Sequence, residues 1–153
     1  MRIVICPDKF RGTASASRAA QALAAGLSTR DLEIVSIPLA DGGEGTLDAL
    51  GGANRVSQVT GPLGDPVEAQ WRLSSGEAVI EMAQASGLLL AGGSEGNDPL
   101  SATSSGTGEL IAEARASGAR RIVIGVGGSA STDGGLGAIR AMEPLVRFSG
   151  VEL

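Results

Sequence analysis

The feature that most constrains how this chain folds is a short pattern, Asp-Gly-Gly-x-Gly, that occurs twice. It occupies residues 41–45 and residues 133–137, and each copy follows an apolar run, at 34–39 and at 122–126. Each copy also precedes a segment with helical character. A strand that ends on a carboxylate and a glycine-rich turn brings an acid and several backbone N–H groups together. The pattern therefore predicts two strand–turn–helix units that can hold an anionic ligand and its metal ion.

The order of the apolar runs predicts an α/β fold that contains two kinds of sheet. The first part of the chain alternates strand and helix, which is typical of a parallel sheet. Beyond a dense turn cluster, polar and apolar residues alternate through 67–73 and a further apolar run follows at 78–80, which predicts an antiparallel hairpin. We therefore expect residues 1–61 to belong to a first α/β lobe and residues 62–153 to a second.

Two longer helices are predicted from their composition and capping signals. Residues 16–25 form an alanine-rich segment that Thr13 or Ser15 can cap. Residues 109–116 form a second helical segment, which precedes the apolar run of the second glycine pattern. The last residues, 150–153, look like the start of another strand.

Composition excludes several classes of function. The chain has 12 Lys and Arg against 17 Asp and Glu, a net charge of −5, and few aromatic side chains, which argues against nucleic-acid binding. It has no His, which excludes Ser-His-Asp and Cys-His mechanisms and the usual zinc sites. The single cysteine, Cys6, is expected to be a small buried hydrophobe. No apolar run reaches the roughly 18 residues of a membrane span, so we expect a cytoplasmic protein without a membrane partner.

The segment 7–13 combines charged residues with a turn after the first apolar run. Lys9 and Arg11 can hold a phosphate or a carboxylate, and Asp8 can accept a hydrogen bond from a sugar-like hydroxyl. In an open α/β sheet, ligands bind beyond the carboxyl ends of the strands, which is where this segment lies. The alternative is a solvated turn before a helix.

The segment 41–45 indicates a ligand site more specifically than the segment 7–13 does. Gly42 and Gly43 permit positive φ angles and close backbone approach beside Asp41. The alternative is that Asp41 caps the following helix. A cap needs one such residue and not three glycines around it, so we favour a ligand site.

The segment 125–135 offers successive backbone N–H groups and three hydroxyls after a buried strand, which is a natural anion cradle. It lacks the Lys-Ser/Thr pair of a Walker A loop, and it only loosely fits the dinucleotide fingerprint, because residues 131–135 are predicted to be loop rather than helix. A phosphate loop is therefore favoured over a nicotinamide site. A fourth segment, 97–111, carries many hydroxyls, with Ser105 or Thr107 as a helix cap or a ligand contact.

In their residues, order and approximate spacing, these four segments resemble the type-1 glycerate kinase family. The matching strings are Pro-Asp-Lys-Phe-Arg-Gly-Thr, Leu-Ala-Asp-Gly-Gly-Glu-Gly-Thr, Pro-Leu through Thr-Gly-Glu-Leu-Ile, and Gly-Gly-Ser-Ala-Ser-Thr-Asp-Gly-Gly. The resemblance implies a two-lobed α/β architecture, with a parallel Rossmann-like first lobe and a mixed-sheet second lobe inserted into it. It implies an active site in the cleft between the lobes. It also implies that this chain is an N-terminal fragment in which both lobes are incomplete.

The activity implied by this resemblance is ATP-dependent phosphorylation of D-glycerate, at the 2-hydroxyl, with Mg²⁺ as cofactor. Asp41 and Asp133 are the implied catalytic residues, one as base and the other as Mg²⁺ ligand, in an order that the sequence does not separate. The implied substrate-binding residues are Asp8, Lys9, Arg11, Gly42, Gly43 and Glu44, and the implied nucleotide-binding residues are Gly127, Gly128, Ser129, Ser131, Gly134 and Gly135. The alternatives are an NAD(P)-binding oxidoreductase fragment and a catalytically inactive kinase fragment.

Overall fold

A computed structural model describes residues 1–10, 12–28 and 31–142 and divides the chain into two compact units, Met1–Asp41 and Gly42–Leu153. The expected strand at 150–153 and the predicted site residue Arg11 lie outside the described residues. The predicted lobe boundary at residue 61 concerns the complete family fold and stays a prediction.

The N-terminal unit is one β–α–β motif. Strand β1 (Arg2–Ile5) is followed by helix α1 (Ala16–Leu27) and strand β2 (Glu33–Ser36). The two strands pair in parallel, with Ile3 opposite Ile34. Ser15 caps α1, because its hydroxyl accepts a hydrogen bond from the Arg18 N–H at 3.2 Å, so the predicted helix and one of its two predicted caps are confirmed.

The expected burial of Cys6 is wrong. Strand β1 ends at Ile5, which is buried, and Cys6 comes directly after it with an exposed side chain. The apolar run in the sequence continues past the last residue of the ladder, and successive side chains along an extended chain point to opposite faces. The thiol therefore belongs to the surface of the unit.

Gly26 offers a simple test of the geometry of α1. It lies inside the helix, and a Cβ at this position would meet no atom within 4 Å. Gly26→Ala is expected to raise the free energy of unfolding by about 0.5–1 kcal/mol, because alanine loses less conformational entropy in a helix. Urea denaturation measures the change. Gly12→Ala is the control with equally open space but a φ of +69°, and it is expected to destabilise. A loss of stability in Gly26→Ala would contradict the helix as described.

The C-terminal unit is a mixed α/β layer structure built on a four-stranded sheet. Its elements in chain order are α2 (Thr46–Ala49), β3 (Arg55–Thr60), β4 (Pro66–Ser74), β5 (Glu77–Glu81), α3 (Ala83–Ser86), α4 (Gly93–Gly96), α5 (Ser105–Ala116), β6 (Arg121–Gly125) and α6 (Leu136–Met142). The strand order is β3-β4-β5-β6; the first two pairings are antiparallel and β5–β6 is parallel. The predicted hairpin and the α/β class with parallel and mixed sheets are therefore confirmed.

The core of this unit lies between the sheet and α5. The alternation of β4 points Ala69 and Trp71 inward, and Trp71 is 1% exposed. Its indole N–H donates to the Ser57 hydroxyl at 2.8 Å, which satisfies the one polar atom that this large side chain buries. Leu110 of α5 belongs to the same buried cluster. Within the described residues, no helix is long and apolar enough to cross a membrane.

Helix α5 begins earlier than the sequence predicts, and neither predicted cap is right. The cap position is Ser104 rather than Ser105 or Thr107. The Ser105 N–H donates to the Thr103 hydroxyl at 3.1 Å, and Thr107 lies inside the helix with its hydroxyl donating to Ser86 at 2.9 Å. The hydroxyl that accepts an N–H at this helix end is that of Thr103, while the hydroxyls of Ser104 and Thr107 bond partners that are distant in sequence.

Candidate active site

Lys9 and Asp41 form an ion pair in the N-terminal unit, with 2.8 Å between Nζ and Oδ1. Lys9 follows β1 and Asp41 follows β2, so the parallel pairing carries both to the same edge of the sheet. The segments that follow the two strands remain adjacent, since the Leu39 N–H donates to the Pro7 carbonyl at 2.9 Å. The Asp41 side chain is 44% exposed and that of Lys9 is 17% exposed, so the carboxylate can reach a ligand.

Asp8 lies beside this pair along the chain. Its side chain is exposed, and its Oδ1 accepts the backbone N–H of Lys9 at 2.6 Å, which orders the turn. The predicted segment 7–13 thus contributes Asp8 and Lys9 to the edge of the sheet near Asp41. The role of each residue stays a prediction.

The first glycine loop, residues 42–45, lies in the C-terminal unit and packs directly on the end of β6. The Gly127 N–H donates to the Gly42 carbonyl at 2.8 Å. A Cβ on Gly125 would lie 2.6 Å from that carbonyl oxygen, and a Cβ on Gly127 would lie 2.7 Å from the Gly43 Cα. The backbones approach this closely only because glycines stand on both sides.

The helix after the first glycine loop is capped by a residue that the sequence analysis missed. The cap position is Gly45, so the alternative in which Asp41 caps this helix is wrong. Glu81 Oε2 accepts the N–H groups of Gly45 at 3.1 Å and Leu47 at 3.0 Å. Glu81 is 2% exposed. An acid at the end of the apolar run 78–80 repeats the arrangement that drew attention to Asp41 and Asp133, and that signal could have found it.

The hydroxyls of the second glycine loop, residues 127–135, are used mainly inside the loop itself. The Ser131 N–H donates to the Ser129 hydroxyl at 3.1 Å, and the Ser131 hydroxyl donates to Asp133 Oδ1 at 3.1 Å. The segment 131–135 is loop, as predicted, and α6 begins only at Leu136.

The N–H groups in this loop that remain for an anion are fewer than the sequence predicts. Internal acceptors receive the N–H groups of Gly127, Ala130, Ser131, Thr132 and Gly135. Those of Gly128, Ser129, Asp133 and Gly134 donate to no acceptor in the part of the chain that the structure describes. Gly128 has a φ of +75° and Gly134 a φ of +62°, conformations that suit glycine. An anion cradle on this loop would therefore rest on these four N–H groups.

Asp133 is held by five hydrogen bonds. Oδ2 accepts the N–H and hydroxyl of Ser104 and the N–H of Gly137, and Oδ1 accepts the hydroxyl of Ser131 and the N–H of Gly135. Partial burial raises the pKa of this carboxyl, but the hydrogen bonds from Ser104, Gly135 and Gly137 together lower it by more, to about 2. The geometry makes Asp133 a link between the N-terminus of α5 and the turn into α6.

Asp41 and Asp133 differ in how well their carboxylates are placed to bind a divalent cation. These residues contain no group of three or more His, Cys, Asp or Glu side chains placed to share a metal ion. Mg²⁺ is commonly held by one or two carboxylates together with the phosphates of its substrate, so such a group is not required. The exposed carboxylate of Asp41 fits that arrangement. Asp133 would first have to give up hydrogen bonds that hold two helix ends.

Comparison with known proteins identifies the family. The model of the Glycerate kinase family matches residues 3–147. Glycerate 2-kinase of Escherichia coli K12 is 51% identical over 150 residues, and glycerate kinase of Bacillus subtilis 168 is 46% identical over 150 residues; each alignment covers 93% of this chain. The chain belongs to the glycerate kinase family.

A solved structure supports the fold. A protein named as glycerate kinase 2 from Salmonella typhimurium LT2 has 45% sequence identity and superimposes with a TM-score of 0.76, over 92% of this chain and 40% of its own. This chain spans 39% of the length of the two curated relatives above. Nothing in these matches supports the oxidoreductase alternative.

Proposed function

We propose that this chain carries the substrate and nucleotide contacts of an enzyme that uses ATP to phosphorylate D-glycerate at its 2-hydroxyl. The observation that carries the proposal is the Lys9–Asp41 ion pair at the carboxyl ends of two parallel strands, in a chain that belongs to the glycerate kinase family. The names of the relatives support the kinase class and glycerate as substrate.

In this proposal Asp41 acts as the base or as a Mg²⁺ ligand, and the positive charge of Lys9 offsets negative charge on the substrates. Phosphoryl transfer requires an acceptor for the hydroxyl proton, cations that offset the charge on the phosphoryl group, and close positioning. The exposed carboxylate of Asp41 can accept that proton or hold Mg²⁺ beside the nucleotide. Lys9 and Arg11 bind the glycerate carboxylate or the transferred group, and Asp8 accepts a hydrogen bond from glycerate.

In the C-terminal unit the two glycine loops carry the proposed backbone contacts. Gly128, Ser129 and Gly134 offer N–H groups to nucleotide phosphates, while Gly127, Ser131 and Gly135 shape the loop around them. In the first loop, Gly42, Gly43 and the exposed Glu44 are proposed to contact glycerate. Asp133 is proposed to act through the loop that it holds rather than as the base, because donors already occupy both of its oxygens. We further propose a cytoplasmic location, with a small molecule and no nucleic acid as partner.

Release of ADP tests this function. Incubated with ATP and MgCl₂, the chain is expected to release ADP only when D-glycerate is present. Lys9→Met is expected to lower kcat/KM for D-glycerate by about 100-fold, because it removes a charge that offsets the transferred phosphoryl group. Arg2→Met is the matched control: it breaks the Arg2–Glu33 ion pair, which lies in the same unit with both side chains more than half exposed. That control is expected to keep wild-type kcat/KM.

Two results would contradict the proposal. One is ADP release that does not depend on D-glycerate, and the other is an unchanged kcat/KM in Lys9→Met. ATP binding without any release of ADP would instead support the alternative of a catalytically inactive fragment.

A further inference from the structure

The two copies of the glycine pattern lead into their helices at different distances from the aspartate. Helix α6 begins three residues after Asp133, whereas α2 begins five residues after Asp41. The first N–H groups of a helix have no partner inside it, and a glycine just before the helix supplies no side chain to accept them. Gly45 and Gly135 stand at these places. Each copy therefore needs an acceptor from elsewhere.

In the second copy the aspartate of the pattern is that acceptor. Asp133 receives the N–H of Gly135 at 3.0 Å and the N–H of Gly137 at 3.1 Å. In the first copy the aspartate of the pattern, Asp41, forms an ion pair with Lys9.

Glu81 supplies the missing acceptor in the first copy. One oxygen, Oε2, receives both the N–H of Gly45 and the N–H of Leu47. These are the cap position and the second residue of α2; a capping box instead uses two separate side chains, for the N–H groups of the cap position and of the third residue. Glu81 reaches them from the end of β5, where it pairs in register with Gly125.

The same carboxylate therefore determines where the first glycine loop lies. The loop is bounded on one side by the two hydrogen bonds to Glu81 and on the other by the Gly127 N–H on the Gly42 carbonyl. We propose that Glu81 is a positioning residue, whose buried carboxylate holds Gly42 and Gly43 against the start of the second glycine loop and so keeps both loops in ligand-binding geometry. The ligand-binding part of this inference rests on the proposed function; the capping part does not.

The test combines amide exchange with ligand binding in the intact chain. Glu81→Met removes both acceptor oxygens, and Glu77→Met makes the same change on the same strand at a half-exposed ion pair with Arg121. Relative to that control, Glu81→Met is expected to speed amide hydrogen exchange at Gly45 and Leu47 by about tenfold. In the presence of MgCl₂ it is expected to raise the calorimetric Kd for ATP by about tenfold. Glu81→Gln keeps one acceptor oxygen and is expected to recover most of both losses.

The outcomes separate positioning from general stabilisation. Faster exchange throughout the C-terminal unit, together with an unchanged Kd for ATP in folded protein, would overturn the proposal, as would a Glu81→Gln variant no better than Glu81→Met. A wild-type chain that does not bind ATP would refute the nucleotide contacts. Amide hydrogen exchange at Gly45 and Leu47 would still show whether Glu81 caps α2. If Glu81→Met does not fold, Glu81→Asp gives the same test, because it withdraws the carboxylate by one methylene.

Discussion

Gly127→Ala is expected to lower the free energy of unfolding by about 2 kcal/mol. The added methyl would lie 2.7 Å from the Gly43 Cα and 2.8 Å from the Gly43 nitrogen. Both are backbone atoms, so the loop as a whole must move, and the 2.8 Å hydrogen bond from the Gly127 N–H to Gly42 weakens. Because the shift separates the two glycine loops, the Kd for ATP is expected to rise about tenfold. Urea denaturation and calorimetry measure the two effects.

Gly134→Ala is the matched control for this substitution. Gly134 lies in the same loop with a φ of +62°, and a Cβ there would meet no atom within 4 Å. Its expected cost is the backbone strain of about 1 kcal/mol for a side chain in the left-handed region. Gly127 has no such φ, so the pair separates steric contact from strain. Wild-type stability in Gly127→Ala would show that the two glycine loops do not touch.

Asp133→Asn is expected to lower the free energy of unfolding at neutral pH by about 2–3 kcal/mol. The five donors around the carboxylate require two accepting oxygens, and asparagine offers one oxygen and a new donor. The effect should reach both helix ends that Asp133 joins, since the Ser104 hydroxyl also accepts the Ala138 N–H at 3.0 Å. Asp98→Asn is the control, because Asp98 makes similar local hydrogen bonds at an exposed position. It is expected to have little effect.

The pH dependence of stability provides a second readout for Asp133. Its pKa is about 2 in the folded chain against a usual value of 3.8. Because the folded pKa is depressed, the carboxylate stabilises the fold above the unfolded value, and this contribution disappears as the pH falls from about 5 toward 2. The contribution is at most about 2 kcal/mol, since the group is only partly buried. Urea denaturation between pH 7 and pH 2.5 should show that the free energy of unfolding falls less steeply with decreasing pH in Asp133→Asn than in the wild-type chain. Equal slopes would mean that Asp133 is not held as described.

Local patterns predicted most of the elements correctly, and the failures at helix N-termini share one cause. The alternation at Ala69 and Trp71 predicted which side of β4 faces the core, and Ser15 was one of two predicted caps because cap and helix are adjacent. The capping partner of α2 was missed and the start of α5 was misjudged because their partners lie far away in the chain. Glu81 serves α2 from 34 or more residues further on, and Asp133 binds Ser104 from 29 residues away.

The candidate site shows the same division. Parallel pairing of β1 and β2 could be predicted from the β–α–β pattern, and it is enough to bring Lys9 and Asp41 to one edge. The number of N–H groups left for an anion in the second glycine loop could not be predicted. It depends on acceptors such as the carbonyls of Ser86 and Pro99, which only the folded chain places beside Ala130 and Thr132.

The sequence by itself determined that two acid-ended, glycine-rich turns would follow strands and precede helices, because strand, turn and helix signals are local. It also determined membership of the glycerate kinase family, through four segments in a fixed order. Only the tertiary structure decided what each acid does: Asp41 pairs with Lys9, Asp133 holds its own loop, and Glu81 caps the helix that follows the first glycine loop. The physical reason is that a carboxylate takes its role from the donors that surround it, and donors from distant parts of the chain meet only in the folded protein.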